Sequence, residues 1–285
     1  MGENSRSSID HISDTAFWVA TYRAEESERP DPLFKDTLAR KLIGERGPRI
    51  AAEMPFANKM AFGLVMRTSA IDSFVEKAIA LGVDTVINLG AGLDTRPYRM
   101  SLPRSLNWIE VDFPRLIDYK NVTLINDEPV CRLERIALDL SDDIKRRALF
   151  EKLGNMTKAA LVITEGVVPY LTNDQALTLA RDLAAIPTFK YWVQDYRAGK
   201  LDHSSRRALD RRLKESPLHF KVKDPIAFFA QVGWTVEQNV FLMDEAKRVG
   251  RELPLKFPWR HLGRILPRAL YKLANVYGFV MFKRI

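Results

Sequence analysis

The chemistry on offer in this chain of 285 residues sits at glycines and acidic residues that close short apolar runs. Gly90 and Gly92, in NLGAGLDTR, follow the run DTVINL, where a strand would hand over to a helix. Gly90 permits a tight turn, and Gly92 lets a ligand approach the backbone with no Cβ in the way. Asp112 closes the next such run, LNWIEVDFP, 22 positions after Gly90. That spacing is the range in which a Rossmann-like fold sets a carboxylate against ribose hydroxyls. Asp139 ends RLERIALDL with Leu140 behind it, and Glu165 ends the apolar run in ITEGVVPYL. The carboxyl ends of parallel strands share one ligand crevice, so these sites can converge. Arg67, in VMRTSAID, lies upstream, able to close over the crevice. The dinucleotide fingerprint requires a third glycine where this chain has Thr95, which disfavours NAD. The set favours a different nucleoside ligand.

These residues must be positioned by strands alternating with helices. The runs at 84–89, 106–114, 132–140, 159–168 and 189–196 read as strands. Between them DDIKRRALFEKLG and TNDQALTLARDLAAI read as helices, the second capped by Thr172. Alternation of this kind predicts a parallel sheet wound on both faces. The first 80 residues read as helical, with Asp14 as an N-cap and Gly44 and Gly82 as stops. AFFAQVGWTVEQNVF reads as helix, glycine turn and strand, and VYGFVMFKRI as a final strand, with the topology of this last pair left open by pattern alone. The expected organisation is one domain: a helical N-terminal cap over 1–82, a ligand-binding core over 83–196, and a cap insertion with the final strand pair over 197–285.

Composition narrows the class. A hydrophobic share of 46% over this length supports a full core and excludes a disordered chain. The single Cys131 forms no internal disulfide and suggests a reducing compartment. With only four scattered histidines, His11, His203, His219 and His261, no metal site is expected. No apolar stretch is long enough to span a bilayer and the N-terminus lacks a signal-peptide core, so a cytoplasmic protein is expected. The net charge of +8 is regional: residues 1–196 hold 25 basic and 28 acidic side chains, and residues 197–285 hold 19 and 8. That basic third would suit an anionic partner.

With TAFWVATYRAEESERPDPLF, VMRTSAID, NLGAGLDTRPYR, IEVDFP, ALDL and ITEGVVPYL in hand, the sequence resembles S-adenosylmethionine-dependent methyltransferases of the leucine carboxyl and tetracenomycin carboxyl methyltransferase group. The resemblance implies a class I, Rossmann-like α/β fold: a seven-stranded sheet with the last strand antiparallel, plus helical caps. It implies S-adenosyl-L-methionine as cofactor, with Gly90, Ala91 and Gly92 along its methionine part and Asp112 on the ribose. Asp139 and Leu140 would meet the adenine, Arg67 and Arg23 the carboxylate end, and Glu165 the amino group.

Methyl transfer from a sulfonium is an in-line displacement, in which positioning supplies much of the rate. A carboxylate acceptor is ionised at neutral pH, whereas a phenol gains from a base such as histidine. No histidine lies in or beside the motifs above, which favours a small carboxylate substrate over a phenol. Tyr22, Tyr98, Tyr170 and Tyr196 are candidate walls for it, with Arg99 and Arg197 available to an anion. A nucleic-acid substrate is not expected, because Gly166-Val167-Val168-Pro169-Tyr170 does not match the Asn/Asp-Pro-Pro-aromatic run of DNA amine methyltransferases. A non-catalytic cofactor-binding protein is the contrasting class; the intact glycine and acid set argues against it. The sequence leaves the oligomeric state open.

Overall fold

Runs dense in branched and aromatic residues, bounded by glycine and proline, become the strands of one sheet. The computed structural model describes residues 14–54, 57–197, 217–253 and 277–285. Its strands are β1 (Thr85–Leu89), β2 (Asn107–Asp112), β3 (Arg132–Ala137), β4 (Ala160–Thr164), β5 (Phe189–Arg197), β6 (Trp234–Phe241) and β7 (Tyr277–Arg284). They lie in the order β3-β2-β1-β4-β5-β7-β6. The first five run parallel, and β7 enters antiparallel between β5 and β6. This settles the late pair that pattern alone left open. β1 and β4 are buried along their whole length, as strands covered on both faces must be.

The helical prefix forms α1 (Thr15–Ser27), α2 (Thr37–Ile43), α3 (Arg46–Ala52) and α4 (Ala57–Ala80). Gly44 and Gly82 do stop helices, at φ +50° and +90°. Asp14 does not cap α1: its own backbone is helical and its carboxylate pairs with Arg46 at 2.7 Å. Asp36 caps α2, accepting the Ala39 N–H. Further on come α5 (Arg96–Arg99), α6 (Pro114–Thr123), α7 (Asp143–Met156), α8 (Asn173–Ala184), α9 (Pro225–Ala230) and α10 (Leu242–Arg248). Thr172 does cap α8, in a reciprocal capping box with Gln175.

Two apolar layers sandwich the sheet. One face carries Ile87, Val162, Trp192 and Phe282 against α7, α8 and Phe229 of α9. The other carries Val86, Ile163, Val193 and Met281 against Ile71, Phe74 and Val75 of α4. A third cluster, with Trp18, Tyr22, Leu42, Ile50 and Leu93, joins the prefix helices to the turn after β1. That contact brings α1 to the edge where the strands end.

Candidate functional site

Because β1 to β5 are parallel, their carboxyl ends form one edge. The turn after β1 folds against β2: the Gly90 and Ala91 N–H groups donate to the Val111 carbonyl at 2.8 and 3.2 Å. Gly90 and Gly92 both have positive φ, +68° and +52°. A Cβ on Gly90 would lie 2.4 Å from Val167 Cγ2, and one on Gly92 3.2 Å from Ala16. Both glycines are therefore required by geometry and by room. Asp112, at the end of β2, accepts the Gly92 N–H at 2.6 Å and the Phe113 N–H at 2.7 Å. Burial pushes its carboxyl above the ordinary range, against the pull of those two N–H groups. Asp139 is exposed after β3, one oxygen accepting the Ser141 N–H at 2.9 Å. Leu140 and Val167 line a cavity of about 170 Å³ with Ser141, Leu171 and Leu179. Asp143, Arg146, Asp174, Gln175 and Thr178 complete its lining, and a slot of apolar wall and polar rim suits a flat base with hydrogen-bonding edges.

The other half of the edge is built of charge. Arg67, buried on α4, donates from Nε to Glu165 at 2.8 Å and from Nη1 to Asp195 at 3.4 Å. The second Glu165 oxygen accepts from Arg96 at 2.8 Å. Arg96 also reaches Asp72 at 2.7 Å and Asp94 at 2.9 Å, and Asp94 accepts from Asn88 of β1. Asp195 accepts the Gly166 N–H at 2.6 Å and the Tyr277 hydroxyl. Burial alone would raise the Glu165 carboxyl, but the Arg96 and Arg67 charges outweigh it and hold Glu165 below the ordinary range. Asp94 is buried too, and Arg96, Arg23, Arg99 and Lys120 hold it lower still. Arg23 is paired with Asp36 at 2.8 Å and donates to the Leu93 carbonyl, tying α1 to the glycine turn.

The remaining candidates divide. Arg99 is bidentate on Asp72, at 2.7 and 2.8 Å, and lies over the Phe34 ring. Tyr98 accepts from Arg135. Both are held in the protein's own packing. Tyr170 lies in the turn after β4, its phenol pushed up by burial against a hydrogen bond with Thr15. Tyr196 donates to Asn239 at 2.8 Å and lies where a Cβ on Gly278 would meet its ring at 2.5 Å. Arg197, the last residue of β5, pairs in register with Tyr277. Tyr22 lines a separate cleft of about 450 Å³ between α1, α4 and Gly250–Glu252. Asp195, Tyr277, Arg96 and Asp94 join the site without having stood out in the sequence. Asp195 alone carries a usable signal there, an acid closing the apolar run YWVQD as Asp112 closes IEVD.

His219 is exposed and meets the site's turn through its backbone alone. Its backbone N–H donates to the Pro169 carbonyl at 2.9 Å, so the fold brings a histidine beside ITEGVVPYL across 50 residues of sequence. His11, His203 and His261 lie outside the described residues, as does much of the basic third. Among the described residues no cluster of three or more His, Cys, Asp or Glu side chains is placed to hold a metal ion. No helix of the described residues is long and apolar enough to cross a membrane.

The model of the leucine carboxyl methyltransferase family matches residues 16–184, more than half of the chain. The chain belongs to that family. A Frankia alni protein provisionally named an S-adenosyl-L-methionine-dependent methyltransferase is 30% identical, covering 84% of this chain and 87% of its own. A Streptomyces coelicolor protein with the same provisional name is 37% identical over 59% of this chain and 62% of its own. Solved structures agree in fold. A Thermobifida fusca protein provisionally titled a methyltransferase superposes with TM-score 0.60 at 13% identity, covering 97% and 96% of the two chains. A DUF574 family protein of Streptomyces avermitilis gives 0.59, also at 13%, covering 93% and 97%. The family match holds Arg23, Arg67, the glycine turn, Asp112, Asp139 and Glu165; Asp195 and Tyr277 lie beyond it.

Proposed function

We propose that this S-adenosyl-L-methionine-dependent methyltransferase moves its methyl group to a carboxylate oxygen of a small anionic metabolite, giving a methyl ester. Membership of a family named for methyl transfer to a carboxyl group carries the reading. The residues present fit the cofactor. The glycine turn brings backbone free of Cβ atoms to the strand ends, Asp112 offers acceptors to a diol, Leu140 lines a slot for a purine, and exposed Asp139 next to it offers an acceptor. Arg67 suits the methionine carboxylate and Glu165 its ammonium. Arg23 acts through the loop it ties, by way of Leu93.

When bound, the cofactor supplies a methyl group on a positively charged sulfur. The acceptor oxygen attacks that carbon as the carbon–sulfur bond breaks and the sulfur keeps the electron pair. The chain's task is to align the two reactants, an effect that reaches ~7–11 kcal/mol in favourable systems. In this reading residues 83–196 are the cofactor-binding core. The described prefix helices stand on the acceptor side, with Tyr170, Tyr196 and Arg197 as candidates, while Tyr22 belongs to the separate cleft.

The second reading is a phenol or other hydroxyl acceptor, which would gain from a base within reach of its proton. The product separates the two. An ester releases its methyl group as methanol in mild base, and its rate of formation stays nearly flat from about pH 6 to 8 because the acceptor is ionised throughout. A base-stable product whose rate climbs with pH would establish the hydroxyl acceptor instead. Binding of cofactor with no turnover across a broad panel of acids and phenols would leave a non-catalytic protein.

A further inference from the structure

Two carboxylates, Glu165 and Asp195, meet the Arg67 guanidinium where β4, β5 and β7 meet α4. Glu165 holds Arg67 through Nε at 2.8 Å, while Asp195 reaches Nη1 only at 3.4 Å. No carboxylate among the described residues is bonded to Nη2 of Arg67. The Asp195 oxygen that faces Arg67, Oδ2, is the one that accepts the Tyr277 hydroxyl, and its other oxygen is occupied by the Gly166 N–H at 2.6 Å. Gly166 has φ +67°, and a Cβ there would lie 3.3 and 3.6 Å from Nη1 and Nη2, so only the missing Cβ spares the guanidinium crowding on that side; the Tyr277 side chain also hydrogen-bonds the buried Arg67. Tyr277 is the first residue of β7, beyond the segment that the family model matches.

We infer that Tyr277 is a positioning residue for the cofactor's amino-acid end: its hydroxyl occupies Asp195 and so keeps one edge of Arg67 available to a ligand carboxylate. The inference rests on the reading of Arg67 given above. An Arg67 gripped by two carboxylates at short range would have little field left for a third. A phenol donating to Asp195 takes up the negative charge nearest Arg67 without adding charge of its own, and a charge-assisted bond of this kind is among the stronger ones. Burial, and next the Asp195 charge, push the Tyr277 phenol well above its ordinary value, so it stays protonated and can only donate to the carboxylate. Phenylalanine at this position would leave Asp195 one donor short, and Arg67, already 3.4 Å away, is the cation on which it can close.

Two probes separate this role from a merely structural one. S-adenosyl-L-homocysteine carries the amino-acid carboxylate, whereas 5′-methylthioadenosine keeps the adenosine and sulfur and lacks that end. Titration calorimetry on the full-length protein should show Tyr277→Phe weakening S-adenosyl-L-homocysteine about 3- to 10-fold while 5′-methylthioadenosine binds as before. Adding Asp195→Asn should restore most of the loss, because the side chain released by Tyr277→Phe no longer carries the charge that closes on Arg67. Arg67→Ala should weaken S-adenosyl-L-homocysteine about 10- to 100-fold, again sparing 5′-methylthioadenosine. Equal weakening of both probes by Tyr277→Phe, or no restoration by Asp195→Asn, overturns the role of Tyr277 while leaving that of Arg67 standing. Equal weakening of both probes by Arg67→Ala overturns the assignment of Arg67 and this inference with it.

Discussion

The two halves of the strand-end edge are built by opposite means. At the β1–β3 end, Asp112 is satisfied by the backbone N–H groups of Gly92 and Phe113, and Asp139 by that of Ser141. At the β4–β5–β7 end, Arg67, Arg96, Glu165 and Asp195 pair with one another and with Asp72 and Asp94, charge against charge and largely shielded from water, with Asp195 also taking the Tyr277 hydroxyl and the Gly166 N–H. Backbone donors hold a carboxylate still while leaving lone pairs for a ligand, so the first half is a receptor made locally. A buried ion network depends on every member, because removing one charge strands the others in a poor solvent. The second half therefore ties the fold together while it binds.

That contrast is tested first by Arg96→Met. The guanidinium joins Asp72, Asp94 and Glu165, and its loss should destabilise the protein by about 3–5 kcal/mol, seen as a large drop in denaturation midpoint. Survival of this variant with near-native stability would show that the network is not what holds the edge together. Asp112→Ala should behave in the reverse sense. We expect S-adenosyl-L-homocysteine to bind ~1.5–3 kcal/mol more weakly by calorimetry, with a smaller change in stability. Asp139→Ala, at an exposed position, should weaken binding by only ~0.5–1.5 kcal/mol.

Acid should separate the halves by sign. Glu165 is held below its ordinary value of 4.5, so its stabilising contribution is fully present above that value and is lost as the pH falls through the lower, folded one. Asp112 is held above 3.8, so its contribution is present below that value and is lost as the pH rises through the higher, folded one. Stability curves between about pH 3 and 7 should lose part of their acid fall in Glu165→Gln, and should fall slightly more steeply toward acid in Asp112→Asn. The same slope in both variants would mean that these two carboxylates do not dominate the acid limb.

Much of the first half is legible in the sequence. The glycine turn, Asp112 and Asp139, and Glu165 in the second half, each close a short apolar run, and parallel strands bring such ends to one edge whatever the details of packing. The late strand pair is legible as strands but not as topology, since alternation does not encode which neighbour β7 chooses. Asp14 misleads because an acid before a helix can be drawn off by a cation from elsewhere, here Arg46 on α3. The backbone bond from His219 to Pro169, 50 residues apart, is a contact that chain spacing does not encode.

What the sequence determined by itself is the set of groups whose chemistry is satisfied within a few residues: turns that only glycine tolerates, caps such as Thr172, and acids at strand ends. Their energetics are local, so their spacing records them. What only the tertiary structure decided is the pairing of Arg67 and Arg96 with Glu165, Asp195 and Tyr277, drawn from segments up to 210 residues apart. Charges at that separation have no preferred partner in an unfolded chain, where water screens them. Burial at one edge removes the water, and each charge then takes the nearest opposite charge that the fold supplies.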